Sequence, residues 1–307
     1  MLYKILGAPV DVGAGLRGCA RAPQALRAAG LAAALMRHGH DVADLGDVGR
    51  PRIHPVSHPN AALKALPEVA AWTAALADAA YAASADGVPI FLGGDHSIAA
   101  GTIAGLARRA AAACRPLFVL WLDAHPDFHT LDSSESGNLH GVPLAYVSGR
   151  PGFAGYFPAL AAAVDPARVC LFGVRSIDPA EAATLPAAGI TVHDMRAVET
   201  RGVAALLGPF LDRARAARGL LHVSFDIDCL DPEIAPAVGT AVSRGIGLHD
   251  AYAIAETLRD SGLVGSLDLV ELNPALDEAG RTAALMIDLT ARLAGRVTDR
   301  VVGSDAA

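Results

Sequence analysis

The residues of this sequence best suited to chemistry are acids and histidines that follow an apolar segment. Leu117 to Leu122 are all apolar, which predicts a strand buried on both faces, and Asp123, His125 and Asp127 come directly after it. In extended backbone, alternate residues point to the same side, so we expect these three side chains to converge at the carboxyl end of the strand. Clustered carboxylates repel each other and lose hydration, and a cation that lies between them offsets this cost. The spacing therefore predicts a metal site, although Asp-x-His taken alone would favour a polar turn.

Further potential ligands follow three other apolar segments of the chain. They are His96, Asp226, Asp228 and Glu271. Two histidines and four aspartates at three strand ends overturn the polar-turn interpretation and predict a site for two metal ions. A carboxylate-rich ligand set without thiolates favours hard ions such as Mn(II) over structural zinc.

Short apolar segments alternate with longer helical patterns along the whole chain. The predicted strands are residues 3–9, 41–45, 88–92, 117–122, 168–173, 190–193, 220–225 and 263–270. The predicted helices are residues 23–38, 60–85, 178–186, 195–218, 248–261 and 277–294. This alternation predicts an α/β fold: a single domain over residues 1–307, with about eight mostly parallel strands and helices on both faces. In such a sheet, ligands bind beyond the carboxyl ends of the strands, where the acids and histidines lie.

Composition excludes several classes of protein. The net charge is −7 and no cluster of Lys and Arg exists, which argues against nucleic acid or a membrane surface as the partner. The Ala-rich stretch 61–85 carries Lys64, Glu68 and Asp78, so it is not a membrane span, and the N-terminus lacks a secretory leader pattern. Four scattered cysteines without a Cys-x-x-Cys predict free thiols. We therefore expect a cytoplasmic protein.

Two other features carry little functional signal. The Gly-rich residues 11–18 do not match the dinucleotide-binding pattern Gly-x-Gly-x-x-Gly. His54 and His58 lie in a Pro-rich loop, and we expect them to be solvated rather than to bind a metal.

Three stretches of the sequence together resemble the metal-binding motifs of the ureohydrolase family, which includes arginases and agmatinases. They are Gly93-Gly94-Asp95-His96-Ser97, Asp123-Ala124-His125-x-Asp127 and Ser224-Phe225-Asp226-x-Asp228-x-Leu230-Asp231-Pro232. Residues 7–18, 39–47, 136–141 and 271–274 are similar to the arginase branch in particular, so the resemblance spans nearly the whole chain.

The resemblance implies two Mn(II) ions per chain and assigns their ligands. One ion would be held by His96, Asp123, Asp127 and Asp226. The second would be held by Asp123, His125, Asp226 and Asp228, with Asp123 and Asp226 bridging the two. The family also forms trimers and hexamers, which implies a homo-oligomer.

The reaction implied by the resemblance is hydrolysis of a guanidinium group. Two cations that share a water lower its pKa, so that a bridging hydroxide attacks the guanidinium carbon at neutral pH and urea is released. Asp127 resembles the residue that receives and delivers the proton, and His140 is similar to the proton shuttle. Glu271 would orient the guanidinium through a charge-assisted pair. Apart from the resemblance, His140 is equally compatible with a loop histidine that takes no part in catalysis.

The substrate implied by the resemblance is L-arginine, because the sequence offers groups for an amino acid head. The residues similar to substrate-binding positions are His129, Ser134, Ser136, Asp178, Glu181 and Thr240. Ser134 and Ser136 would bind the carboxylate, while Asp178 and, less directly, Glu181 would receive the α-amino group. His129 departs from the family, where Asn is usual. Its ring could bind the carboxylate, shift the pocket toward another guanidino acid, or pack beside the loop without substrate contact. The alternative substrate is another guanidino compound such as agmatine or guanidinobutanoate.

Two other functions fit part of the pattern. A metallophosphoesterase would also use Asp-x-His and paired metals, but its Gly-Asn-His-Asp/Glu motif and further histidine ligands are absent from the sequence. A metal-binding protein without turnover would keep the ligands, but the presence of His140 and Glu271 argues against it.

Overall fold

Parallel strands and helices alternate along the chain, as the sequence predicts. The computed structural model describes residues 1–295, and residues 296–307 of the predicted domain lie outside the described part. All eight predicted strands are present. They are β1 Leu2–Ala8, β2 Asp41–Asp47, β3 Val88–Gly93, β4 Leu117–Leu122, β5 Val169–Val174, β6 Thr191–Asp194, β7 Leu220–Asp226 and β8 Val264–Val270.

The strands form one sheet in the order β2-β1-β3-β8-β7-β4-β5-β6, and every pairing is parallel. The prediction of a mostly parallel sheet is therefore confirmed. The four strands whose ends carry potential ligands, β3, β8, β7 and β4, are neighbours at the centre of the sheet. Because parallel strands end at the same edge, all of these ligands meet there.

Ten α-helices lie within residues 1–295. They are α1 Ala22–Ala28, α2 Leu31–Arg37, α3 Leu66–Ala83, α4 Ala99–Ala112, α5 Pro143–Val147, α6 Pro179–Ala188, α7 Met195–Arg201, α8 Val203–Ala216, α9 Leu248–Ser261 and α10 Arg281–Ala294. Two predicted helices are each divided in two. Gly30 and Gly202, with φ of 94° and 75°, have backbone conformations that end a right-handed helix.

Helix α4 was not predicted from the sequence, because it contains Gly101 and Gly105 and follows a ligand motif. Both glycines allow α4 to approach α3 closely: a Cβ on Gly101 would lie 2.5 Å from Leu76 Cβ. Tertiary packing therefore outweighs the poor helix propensity of glycine here.

Two apolar cores cover the faces of the sheet. Alternate residues of β4 divide between them, with Phe118 and Leu120 in one core and Val119 and Trp121 in the other. Helices therefore pack on both faces, as predicted. Within residues 1–295 no helix combines the length and apolarity needed to cross a membrane.

The start at Asn60 of the predicted helix over residues 60–85 is wrong, because the corresponding helix, α3, begins at Leu66. Residues 58–65 form a segment that instead contacts the loop at residues 131–138. The prediction that His58 is solvated is also wrong, because its side chain is 4% exposed and its ring contacts Tyr156 edge-on.

Candidate metal centre

The register of the central strands brings two acids side by side. Leu122 at the end of β4 pairs with Phe225 of β7, so Asp123 and Asp226 follow at the same level of the sheet. Both carboxylates are buried at this edge. The sequence predicted each strand end, but the pairing of β4 with β7 places the two ends in contact.

The side chains converge because the chain turns, and not because extended backbone alternates. The residues after β4 leave the extended conformation, and Asp127 has a φ of 50°. Asp226 caps a short 3-10 helix at Ile227–Cys229, and its Oδ1 accepts a hydrogen bond of 2.8 Å from the backbone N of Asp228. The predicted convergence is present, but the alternation argument for it is wrong: tight turns allow more ligands to reach one point than an extended strand does.

A first cluster surrounds the His96 ring. Its Nδ1 lies 3.0 Å from Asp123 Oδ2, 3.1 Å from Asp127 Oδ2 and 3.1 Å from Asp226 Oδ2. All four side chains are buried. His96, Asp123 and Asp226 offer ligand atoms close enough together to bind one cation.

A second cluster shares Asp123 with the first. His125 Nδ1 lies 3.1 Å from Asp228 Oδ2 and 3.4 Å from Asp123 Oδ1. Asp123, His125 and Asp228 again form a group that could hold a cation. The two oxygens of Asp123 therefore face different clusters, which is the arrangement of a bridging carboxylate.

The donor set fits two divalent cations. His96 Nδ1 is buried and lacks a hydrogen bond of acceptable geometry, although three carboxylate oxygens surround it. Burial and the neighbouring Asp123 carboxylate raise the pKa of Asp127 to about 7. Burial, together with Asp228 and Asp123, raises the pKa of Asp226 well above its usual value. A cation between these groups would relieve the repulsion that contributes to both shifts.

Buried partners fix the orientation of the His96 ring. The ring stacks on Trp121 at a centroid distance of 4.1 Å, and Nε2 lies 2.8 Å from Ser224 Oγ. Ser224 Oγ in turn lies 3.4 Å from Asp268 Oδ2, which also accepts a 2.8 Å bond from Thr102 Oγ1. These contacts direct Nδ1 toward the carboxylates, as outer partners of metal-binding histidines do.

Glu271 is buried beside the cleft, whereas the sequence predicts it at the mouth. It is 1% exposed and is not among the residues that line the cleft. It follows the last residue of β8, Val270, and has a φ of 65°. Its Oε1 lies 2.8 Å from His140 Nδ1 and accepts a 2.7 Å bond from the backbone N of His96. Burial alone would lower the pKa of His140, but Glu271 raises it to about 9. The structure thus places Glu271 against His140, and its contact with a guanidinium stays a prediction.

A cleft of about 240 Å³ opens above the two clusters. All of the predicted substrate-binding residues line it, namely His129, Ser134, Ser136, Asp178, Glu181 and Thr240. His140, Asp127, His125, Asp226 and Asp228 also line it, whereas His96 and Asp123 lie behind them. A smaller apolar cavity beneath α9 and α10 has almost no polar surface and is a packing void.

Three of the lining residues interact with one another at the mouth of the cleft. His129 Nε2 lies 3.1 Å from Asp178 Oδ2 and 3.7 Å from Glu181 Oε2. Glu181 is buried and accepts bonds from the backbone N of Phe128 at 2.8 Å and of Asp178 at 3.2 Å. Glu181 therefore joins α6 to the loop after β4, while the Asp178 carboxylate is exposed at the mouth of the cleft beside His129.

The role of Thr240 differs from that of the serines. Its Oγ1 donates a 3.0 Å bond to Asp228 Oδ2, so it holds a candidate metal ligand as well as lining the cleft. Ser134 is buried, and Ser136 lies at the surface with its Oγ accepting a 3.2 Å bond from Asn138 N.

Among the residues that shape the site without having been predicted are Asp95 and Asn138. Asp95 is fully buried, and its Oδ2 accepts bonds from Gly13 N at 2.7 Å and Ala14 N at 2.9 Å. The carbonyl of Gly13 accepts the backbone N–H of His140, so Asp95 links the Gly-rich loop to the predicted proton shuttle. Asn138 lines the cleft. Asp95 lies in the motif at residues 93–97 and Asn138 in the one at residues 136–141, so their position within these motifs was the signal for a role in the site.

The chain matches known proteins along almost all of its length. A family model described as the arginase family matches residues 2–295. An arginase from Brucella melitensis biotype 1 is 58% identical over 301 residues, covering 98% of each chain. The solved native arginase from Bacillus caldovelox is 35% identical with a TM-score of 0.86, covering 96% of this chain and 98% of that one. The arginase of Entamoeba histolytica, solved in complex with L-ornithine, is 28% identical with a TM-score of 0.84, covering 96% and 98%.

Proposed function

This chain belongs to the arginase family of metal-dependent ureohydrolases, and on that premise we propose that it hydrolyses L-arginine to urea and L-ornithine. The observation that carries the proposal is the pair of His and Asp clusters sharing Asp123 below a polar cleft. Water adds across the bond between the guanidinium carbon and the side-chain nitrogen. That bond breaks, and the leaving amine takes up a proton.

The metal we propose is Mn(II), with two ions per chain. One would be held by His96, Asp123, Asp127 and Asp226, and the other by Asp123, His125, Asp226 and Asp228. Oxygen-rich ligation without thiolates supports this choice. When bound, the ions would supply an activated water as the nucleophile.

Residues of the chain itself would manage the proton. Asp127 is part of the first cluster and lines the cleft, and its raised pKa suits a group that receives a proton and gives it up again. His140 lines the same cleft and would exchange that proton with solvent. Glu271 holds the His140 ring by its Nδ1, leaving Nε2 as the exchanging atom.

The amino acid head would bind at the mouth of the cleft. Ser134, Ser136 and His129 offer donors for a carboxylate, and the exposed Asp178 carboxylate is the acceptor for an α-ammonium, with the buried Glu181 supporting it. Support also comes from the Entamoeba histolytica relative, whose structure contains the amino acid L-ornithine. The guanidino compounds agmatine and 4-guanidinobutanoate, each lacking one half of this head, are the alternative substrates.

Steady-state kcat/KM of the Mn-loaded protein for L-arginine, agmatine and 4-guanidinobutanoate tests the proposal. We expect L-arginine to be preferred. The variant Asp178→Asn keeps an N-cap residue for α6 but removes the charge, so it should reduce turnover of L-arginine and spare 4-guanidinobutanoate, which has no α-amino group. Agmatine turnover equal to or above that of L-arginine would refute the proposal, as would unchanged L-arginine turnover in Asp178→Asn.

We further propose that the chain acts as one domain over residues 1–307, forms a homo-oligomer and works in the cytoplasm. All four cysteines are free, which supports a reducing compartment. Sedimentation analysis of the metal-loaded protein would test the oligomer, since a monomer at micromolar concentration would contradict it.

A further inference from the structure

The charges around the cleft pose a problem for an α-carboxylate. The ionisable residues that line it are aspartates, a glutamate and histidines, and no Lys or Arg of residues 1–295 is among them. Such a lining attracts a guanidinium. Two bound cations would offset the aspartates of the metal clusters, but Asp178 and Glu181 at the mouth would still repel the α-carboxylate of the same substrate unless a cation stood near its binding site.

Two basic side chains of the described part donate hydrogen bonds to lining residues. Arg175 donates to the backbone carbonyl of Asp228, but the same guanidinium also contacts the carbonyls of Gly173, Cys229, Leu230 and Val242. It is therefore occupied by backbone. Lys64 instead donates from Nζ to the side-chain Oδ1 of Asn138 at 2.9 Å.

The backbone holds Lys64 beside the cleft. Its N–H donates to the carbonyl of Gly137 at 2.9 Å, one residue before Asn138. Asn60 Nδ2 donates to the carbonyls of Leu131 at 2.9 Å and Ser134 at 3.0 Å. The segment at residues 58–65 thus anchors both ends of the loop that carries Ser134. The backbone of Lys64 is therefore fixed in position, although its side chain is exposed.

The bond to Asn138 also fixes the orientation of its amide. With Oδ1 accepting from Lys64, the Nδ2 group remains as the donor, and it makes no hydrogen bond within residues 1–295. An N–H donor with an ammonium directly behind it is suited to a carboxylate oxygen. Ser136 Oγ, bonded to the backbone N of Asn138, lies next to the same point.

Resting on the function proposed above, we propose that Lys64 is a specificity-determining residue that, through Asn138, selects guanidino substrates bearing an α-carboxylate. It offsets the negative charge of the cleft at the position of the substrate head. It takes no part in the chemistry of the guanidinium carbon.

The test compares Lys64→Met and Lys64→Arg with wild type, using L-arginine and agmatine. Because an exposed charge acts weakly, we expect Lys64→Met to reduce kcat/KM for L-arginine roughly three- to ten-fold, through KM with kcat unchanged. Agmatine should not lose activity, Lys64→Arg should keep most of the preference, and added salt should weaken L-arginine binding more in wild type than in Lys64→Met. Equal losses on both substrates, or a loss confined to kcat, would overturn the inference. A wild-type protein that ignores L-arginine would instead refute the proposed function.

A second measurement does not depend on the variants folding. Lys4 and Lys64 are the two lysines of the chain, and Lys4 pairs with the exposed Asp86, 2.5 Å away on a different part of the sheet. Reductive ¹³C-methylation keeps the charge and gives each lysine its own NMR signal. We expect L-ornithine to shift the Lys64 signal while putrescine, which lacks the carboxylate, does not, and the Lys4 signal should stay constant. No shift with L-ornithine, or the same shift with putrescine, would refute the role of Lys64.

Discussion

Replacing Asp123 by Asn should weaken both metal sites at once. Asp123 belongs to both clusters, with Oδ2 facing His96 and Oδ1 facing His125. Asn has nearly the same shape but carries no charge and offers one ligand oxygen instead of two. Asp228→Asn is the matched control, since Asp228 belongs to the second cluster alone.

The magnitude follows from ligand loss and linkage. Mutation of a residue that hydrogen-bonds to a metal ligand lowers metal affinity by about 10- to 100-fold. Loss of a ligand itself should therefore lower the affinity of each site by about 100-fold, or about 2.7 kcal/mol. At saturating metal, that amount is lost from the metal-induced stabilisation for each affected site. For 307 residues the unfolding entropy is about 0.6 kcal/mol per kelvin. The metal-induced gain in Tm should therefore be about 8–9 °C smaller in Asp123→Asn and about 4 °C smaller in Asp228→Asn.

The measurement must be the increase in Tm on adding metal, and not the Tm of each variant alone. Asp123 accepts hydrogen bonds from Trp121 Nε1 and from the backbone N of His125. In the Asp123→Asn variant the new amide N–H group must oppose one of these donors, which destabilises the protein by about 1–3 kcal/mol even without metal. Differential scanning fluorimetry with and without Mn(II), together with elemental analysis after gel filtration, separates the two effects. Two tightly held ions in Asp123→Asn, or equal losses in both variants, would refute the shared role of Asp123.

Three further predictions follow from contacts around His140 and His96. His140→Asn should lower kcat by at least about ten-fold while metal content stays the same, because a proton carrier acts on turnover and not on ligation; unchanged turnover would retire that role. Because Glu271 raises the pKa of His140 from 6.5 to about 9, the pair contributes stability that is fully present below the lower value and is lost as the pH rises through the higher one. Tm of the wild type should therefore fall more steeply than that of His140→Asn between about pH 7 and 10, and parallel profiles would contradict this. Ser224→Ala should lower affinity at the His96 site by about 10-fold and leave the second site unchanged, because Ser224 holds the His96 ring but not His125; competitive metal titration that finds equal weakening at both sites would count against this.

Much of the site could be predicted from the local sequence pattern, because its ligands directly follow short apolar segments that form buried strands. The run of six apolar residues before Asp123 predicts β4 with the bounds that the structure has. The same reasoning located β3, β7 and β8 within one or two residues at their carboxyl ends. Such segments are specified by burial on both faces, a property that neighbouring residues alone encode. The ligand identities, and the preference for a hard metal ion, follow from residue type.

Tertiary structure decided how those ends meet and which side chains back them. The sequence order β3, β4, β7, β8 becomes β3, β8, β7, β4 in the sheet, and this order alone brings Asp123 beside Asp226. Glu271 was expected in the cleft, but the structure places it against His140, a contact across 131 residues of sequence. The segment that carries Lys64 appeared helical from its alanines, yet it is held as a loop by bonds to residues 131–138. Partners so far apart in the chain leave no periodic trace in the sequence, because hydrophobic patterning records which face of an element is buried but not what lies against it.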